Sequence, residues 1–201
     1  MTIIHMKIAI ISDIHDNAHN IVLTLKEIYK TDVKQIYFLG DFVGAGISRI
    51  LLTSTIPIYA IWGNNDGDRS LITRFSLEEG SNLTVGFDTY DVVEIDKRKI
   101  FLTHYPLIAN TIAKSGEFDA VFYGHDHLKS HNRIGDCLVL NPGEVGAYKT
   151  GIASYAIYDT KTNDAKIIEL KNAITTNTPE AKKKFKEIQF EWNSLKSHKK
   201  I

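Results

Sequence analysis

The chain has 201 residues, 24 Lys+Arg against 24 Asp+Glu, and 43% hydrophobic content, which excludes wholesale disorder, collagen-like repeats and a coiled-coil rod. Zero net charge argues against duplex DNA or an anionic membrane bound by bulk electrostatics, and the lone Cys137 cannot build a disulfide framework. No apolar run approaches the ~20 residues that span a bilayer, and the start is too short and too broken by His5 and Lys7 for a signal peptide, so a cytoplasmic location is expected.

Lys7 to Ile11 reads as a first strand. After it, Ile21, Leu25, Ile28 and Tyr29 recur at helical spacing, with Asn17 or Asn20 as the N-cap. Gln35 to Leu39 is a second strand, followed by a short helix around Ile47 to Thr53. Pro57 to Trp62 is a third strand and Asp66 to Phe75 a helix. These strands are apolar on both faces, which predicts a sheet covered on either side. Leu83 to Gly86, Tyr90 to Ile95 and Lys99 to Thr103 are closely spaced and predict antiparallel pairing. A helix around Leu107 to Lys114 precedes strands at Ala120 to Tyr123, Cys137 to Leu140, Ser154 to Tyr158 and Ala165 to Leu170. The order is α/β at the start and increasingly antiparallel later, consistent with two sheets packed face to face.

Residues 172–179 are polar with turn formers and read as a linker. Residues 180–201 read as a Lys-rich helix with Phe185, Ile188, Trp192 and Leu195 on one stripe. That stripe either docks on the chain's own core or serves a homo-oligomer.

Metal-capable side chains sit where the strands end. Asp13 and His15 follow the first strand, Asp41 the second and Asn64 the third. His104 ends the run from Ile100, and His125 and His127 follow Ala120 to Tyr123. In open α/β sheets the carboxyl ends of the strands line the binding crevice, so these groups should meet. Imidazole, carboxylate and amide oxygen with no thiolate suit Mn, Fe, Co, Ni or Zn. A shared carboxylate can bridge two ions about 3.5–4 Å apart. Each such residue alone is more often a cap or turn former; the joint placement carries the inference.

At these residues the sequence resembles the calcineurin-like metallophosphoesterase superfamily, in its small phosphodiesterase branch. The blocks are Asp13-Ile14-His15, Gly40-Asp41-Phe42-Val43, Gly63-Asn64-Asn65-Asp66, His104 and Gly124-His125-Asp126-His127, with Asn141-Pro142-Gly143-Glu144 similar to an NPGS-type segment. The resemblance implies a four-layer αββα sandwich of two mixed β-sheets flanked by helices, with a metallophosphoesterase domain over residues 1–171. It implies one divalent ion on Asp13, His15, Asp41 and His127 and another on Asp41, Asn64, His104 and His125, with manganese the first expectation. It further implies phosphodiester hydrolysis by a metal-bridging hydroxide, with charge development offset by the metals and the histidines. Asp66 and Asp126 are candidates to orient the ligands.

One departure stands out. Many phosphatases of the superfamily carry a His after the GN pair, serving as general acid; here that position is Asn65. General acid help is worth 10²–10⁴-fold, so diesters, or esters with good leaving groups, are expected over simple alkyl monoesters. His131 is a candidate substitute acid, and Asn17 and Asn65 are candidate donors to a phosphate oxygen. Arg69 and Arg74 could also reach phosphate; His5, His19 and His198 have no motif support. Phosphomonoesterase or nucleotide pyrophosphatase activity on small metabolites is the alternative reading. A non-catalytic protein-binding scaffold of the same fold is the alternative from another class. The expected partner is a small phosphorylated substrate, since no basic, aromatic groove for long nucleic acid is evident.

Overall fold

A computed structural model describes residues 5–175. The elements in chain order are β1 Lys7–Ile11, α1 Ala18–Ile28, β2 Val33–Phe38, α2 Ala45–Leu51, β3 Ile58–Ala60, α3 Arg69–Ser76, β4 Leu83–Val85, β5 Tyr90–Ile95, β6 Arg98–Thr103, α4 Pro106–Ala113, β7 Ala120–Phe122, β8 Lys129–Ile134, β9 Cys137–Pro142, β10 Ser154–Asp159 and β11 Asp164–Glu169.

Strand β1 shows why the layers form. Ile8 and Ile10 point to one face and Ala9 and Ile11 to the other, and all four are fully buried. Such a strand is stable only with cover on both sides. β1 to β4 run parallel in a six-stranded sheet of order β11-β10-β1-β2-β3-β4, with β10 and β11 antiparallel additions. A five-stranded sheet of order β5-β6-β7-β9-β8 has a parallel centre and antiparallel edges. Between the sheets, Ile8, Ile10, Tyr37, Leu39 and Ile61 meet Ile100, Leu102, Phe122, Leu138 and Leu140. Helices α1 to α3 place Ile21, Leu25, Ile47, Leu51 and Ile72 on the outer face of the first sheet. Helix α4 places Ala109 and Ala113 on the outer face of the second. The result is the expected αββα sandwich. Phe122 is fully buried between the sheets and lies edge-on to Tyr158; removing such a ring typically costs about 3–5 kcal/mol.

The local readings hold with two corrections. Asn17 is the cap of α1, its side chain accepting the Asn20 N–H at 3.1 Å. β5 and β6 pair antiparallel as expected, but β4 pairs parallel with β3. The reason is α3, which supplies the crossover that a parallel neighbour needs. The second correction is β8, which the sequence reading omits. None of its residues is fully buried and only Ile134 packs on the outer apolar cluster, because it is an edge strand with little core face to declare it. The first part of residues 172–179 lies against α1: the Ile174 carbonyl accepts from the amides of Asn17 and Asn20 at 3.0 and 2.9 Å. The helix expected over residues 180–201, with His198, lies outside the described residues. Among the described residues no helix is long and apolar enough to cross a membrane.

Candidate metal centre

All five strand ends named in the sequence face the same end of the sandwich. The loop after β1 is bonded to the loop after β2, with the Asp13 N–H on the Gly40 carbonyl at 3.1 Å and the Ile14 N–H on that of Asp41 at 3.1 Å. The loop after β7 reaches the end of β6 through the Gly124 N–H and the His104 carbonyl, 3.2 Å apart. Two glycines are required by this crowding. A Cβ on Gly63 would lie 2.1 Å from Asp41 Oδ1, and one on Gly124 would lie 2.0 Å from Ser12 Oγ and 2.7 Å from Asp13 Oδ2. Asp13, His15, Asp41, His125 and His127 all adopt φ between 46° and 74°, a left-handed conformation costly for residues with a Cβ and typical of functional sites.

The side chains converge in two groups that share Asp41. In the first, His15 Nε2 lies 3.6 Å from Asp13 Oδ1 and 3.4 Å from Asp41 Oδ2, and His127 Nε2 lies 3.5 Å from Asp13 Oδ1. In the second, His104 Nε2 lies 3.6 Å from Asp41 Oδ1 and 3.0 Å from Asn64 Oδ1, which is 2.7 Å from His125 Nδ1. Asp13, Asp41 and His104 are buried.

The tautomers bear on which group this arrangement fits. His104 Nδ1 lies 2.7 Å from the Leu39 carbonyl, which can only accept, so Nδ1 carries the proton. His127 Nδ1 lies 2.6 Å from Glu144 Oε2 and carries its proton for the same reason. A neutral imidazole at either position then aims its Nε2 lone pair at carboxylate and amide oxygens, and a cation between them would satisfy both sides. Among the described residues Asp13 Oδ1 and His15 Nε2 are buried without a hydrogen-bond partner, a costly state unless an ion is bound. The donor set fits a borderline divalent cation. Burial alone would raise the Asp13 carboxyl, but His15, His104, His127 and Ser12 together hold it below its usual range. Burial disfavours His15 protonation, yet Asp13, Asp41 and Glu144 pull its pKa up. His125 is pushed down, by burial first and His104 second.

The surrounding residues divide clearly. Asp66 accepts the backbone N–H groups of Gly63, Val43 and Asp41 at 2.6, 3.1 and 3.2 Å, so it braces the loops after β2 and β3. Asp126 accepts from the Leu128 N–H and the Asn141 amide and touches no ligand side chain; it braces a turn. Asn65 sits beside the site and donates twice to Asp41, its N–H at 2.9 Å and its Nδ2 at 2.7 Å. Asn17 is buried and donates to the Gly146 and Ile174 carbonyls, so it is not a phosphate donor. His131 is on β8, paired with Asp164 at 2.7 Å and away from the ligands, so it does not replace the missing acid. Arg69 donates to the Gly63 carbonyl at 2.9 Å and lies over Trp62, and Arg74 is exposed in the last turn of α3. Glu144 was not singled out as a site residue from the sequence. It is fully buried, accepts from His127 and takes the N–H groups of Tyr148, Lys149 and Thr150. Its signal was an acid inside the apolar block that runs from Cys137 to Ala147.

Residues 6–163 match the calcineurin-like phosphoesterase superfamily domain. The chain belongs to that superfamily. It is 34% identical over 167 residues to Phosphodiesterase MJ0936 of Methanocaldococcus jannaschii, covering 82% of this chain and 99% of that protein. It is 25% identical over 170 residues to Phosphodiesterase YfcE of Escherichia coli K12, covering 77% and 88%. A solved structure of an archaeal phosphodiesterase superposes with a TM-score of 0.73 at 34% identity, covering 82% of this chain and all of that one. Family membership makes this chain a phosphoesterase, with the two-sheet fold and a candidate divalent metal site.

Proposed function

We propose that the chain is a metal-dependent phosphodiesterase acting on small phosphorylated substrates. The observation that carries this reading is the convergence of lone pairs from five strand ends on two centres that share Asp41. Asp13, His15, Asp41 and His127 would hold one divalent cation, and Asp41, Asn64, His104 and His125 the other. Cations so held would supply Lewis acidity toward a phosphoryl oxygen and toward a water nucleophile.

The chain's own residues do the rest. Glu144 and the Leu39 carbonyl fix the Nδ1 protons of His127 and His104, keeping Nε2 free to ligate. Asn65 holds the shared carboxylate from the substrate side through two hydrogen bonds. An amide there has no acid proton to give a leaving group, and His131 is too far to replace it, so diesters with good leaving groups are favoured over alkyl monoesters. The names of the relatives support the same preference.

The test is to strip the protein with a chelator, reload it with Mn²⁺, Ni²⁺, Fe²⁺, Co²⁺ or Zn²⁺, count ions per chain and assay bis-p-nitrophenyl phosphate against p-nitrophenyl phosphate. The expected result is two ions per chain and faster diester turnover, with manganese among the active metals. Faster monoester turnover would favour the monoesterase reading, and no turnover with any metal would leave a binding scaffold.

A further inference from the structure

The end of the sandwich that carries the site is also apolar. Phe87, Leu107, Leu128, Tyr148 and Ile152, in the loops or helix starts after β4, β6, β7 and β9, are all exposed. Exposed large hydrophobics gathered round one mouth mark a binding surface more than scattered ones do. Tyr148 is the best placed of them. Its ring lies nearly parallel to His15, 19° between planes and 5.2 Å between centroids, and 6.4 Å from His127. One ring face therefore rests on the His15 imidazole, while the residue as a whole is 48% exposed. On the opposite side, Tyr105 meets His104 and His125 edge-on at 5.3 and 5.2 Å and closes that flank.

Tyr148 is also held firmly. Its N–H donates to Glu144 Oε2 at 2.9 Å, and the N–H groups of Lys149 and Thr150 bond the same carboxylate. A ring fixed before substrate arrives loses little freedom on binding. Shielding His15 requires only apolar bulk, so an open aromatic face next to the reacting centre offers something more: a surface for a flat ring.

We propose that Tyr148 is a stacking platform that selects phosphodiesters carrying a flat aromatic arm of the nucleoside kind. The inference rests on the diesterase reading above, and it adds the substrate class. An ester arm that leaves a phosphorus held between the two groups on the His15 side runs past His15 to Tyr148, whose face turned away from His15 is the one a flat ring can cover. Stacking a base on an aromatic side chain accounts for about 5- to 100-fold in binding and tolerates any base.

The experiment compares two diesters with one leaving group, thymidine 5′-(p-nitrophenyl phosphate) and methyl p-nitrophenyl phosphate, so that only the second arm differs. The wild type should favour the thymidine ester by about 10-fold in kcat/KM, chiefly through KM. Tyr148→Leu keeps bulk over His15 but has no π face, and should bring the ratio of the two esters close to one. Tyr148→Phe should restore it. Equal kcat/KM for the two esters in the wild type, or a Leu variant with the ratio intact, overturns the proposal. A binding measurement separates this from failure of the diesterase reading. Thymidine 5′-phosphate should quench the fluorescence of Tyr148→Trp, and deoxyribose 5-phosphate should not. If neither ester is hydrolysed the diesterase reading falls, and the fluorescence result alone then decides whether the platform exists.

Discussion

Asp41 and His127, two of the proposed ligands, are each held by a second residue, and the consequences are specific. Asp41 faces both groups and is clasped by Asn65. Asp41→Ala should therefore abolish turnover and lower the metal count, with the circular dichroism spectrum unchanged; retained turnover would contradict the bridging role. Glu144 acts one step further out, through the His127 proton. Glu144→Gln should weaken metal affinity by about 10- to 100-fold, read by competition with a chromophoric chelator. Glu144 also gives a pH test. Burial opposes its ionisation, but His127, Thr150 and Lys149 outweigh that and take its pKa from 4.5 to about 2. A depressed folded-state value means stability that is present above pH 4.5 and lost as pH falls toward 2. Scanning calorimetry on the metal-free protein should show a fall in Tm across that window, flattened in Glu144→Gln. At Asn65 the position that lacks an acid can be given one. Asn65→His should raise the monoester-to-diester rate ratio even if both rates fall, because it also removes the amide donor to Asp41. An unchanged ratio would show that the missing proton is not what limits monoesters.

The unit of construction at the next scale is a strand that ends in a strained loop. β1, β2, β3, β6 and β7 are each followed within four residues by an Asp, Asn or His, and the loops then touch one another through backbone bonds. The close approach explains why glycine stands at 63 and 124. Gly124→Ala places a methyl against Ser12 and Asp13, so it should displace the Asp13 loop. We expect a loss of about 1–3 kcal/mol in stability together with a measurable drop in metal affinity. A variant that kept wild-type Tm and metal binding would mean the loops are less crowded than the geometry says. Asp66 works at this scale too, since its three backbone acceptances tie the β2 and β3 loops together without touching a ligand side chain. The pairing of β4 belongs here as well. Alternation and spacing are the same for a parallel and an antiparallel strand, and only the crossover through α3 distinguishes them.

At the scale of the whole fold, the three apolar clusters are independent of the site. The intersheet cluster and the two outer clusters are apolar and continuous without any ion. Removing metal should therefore leave the fold intact while lowering Tm, because a ligand bound only to the native state stabilises it. Chelation that melted the secondary structure would contradict this. What the linear chain by itself determined was the set of candidate metal-binding side chains, their order and their position near strand ends, because strand periodicity and the Asp, His and Asn punctuation are local properties. The two-faced apolar strands likewise announced covered sheets. Only the tertiary structure decided that Glu144 holds His127, that Asn17 and His131 are spent elsewhere, and that Tyr148 lies over His15. Those facts depend on which loops meet across two sheets, and no local pattern in the chain records the distance between residues that far apart in sequence.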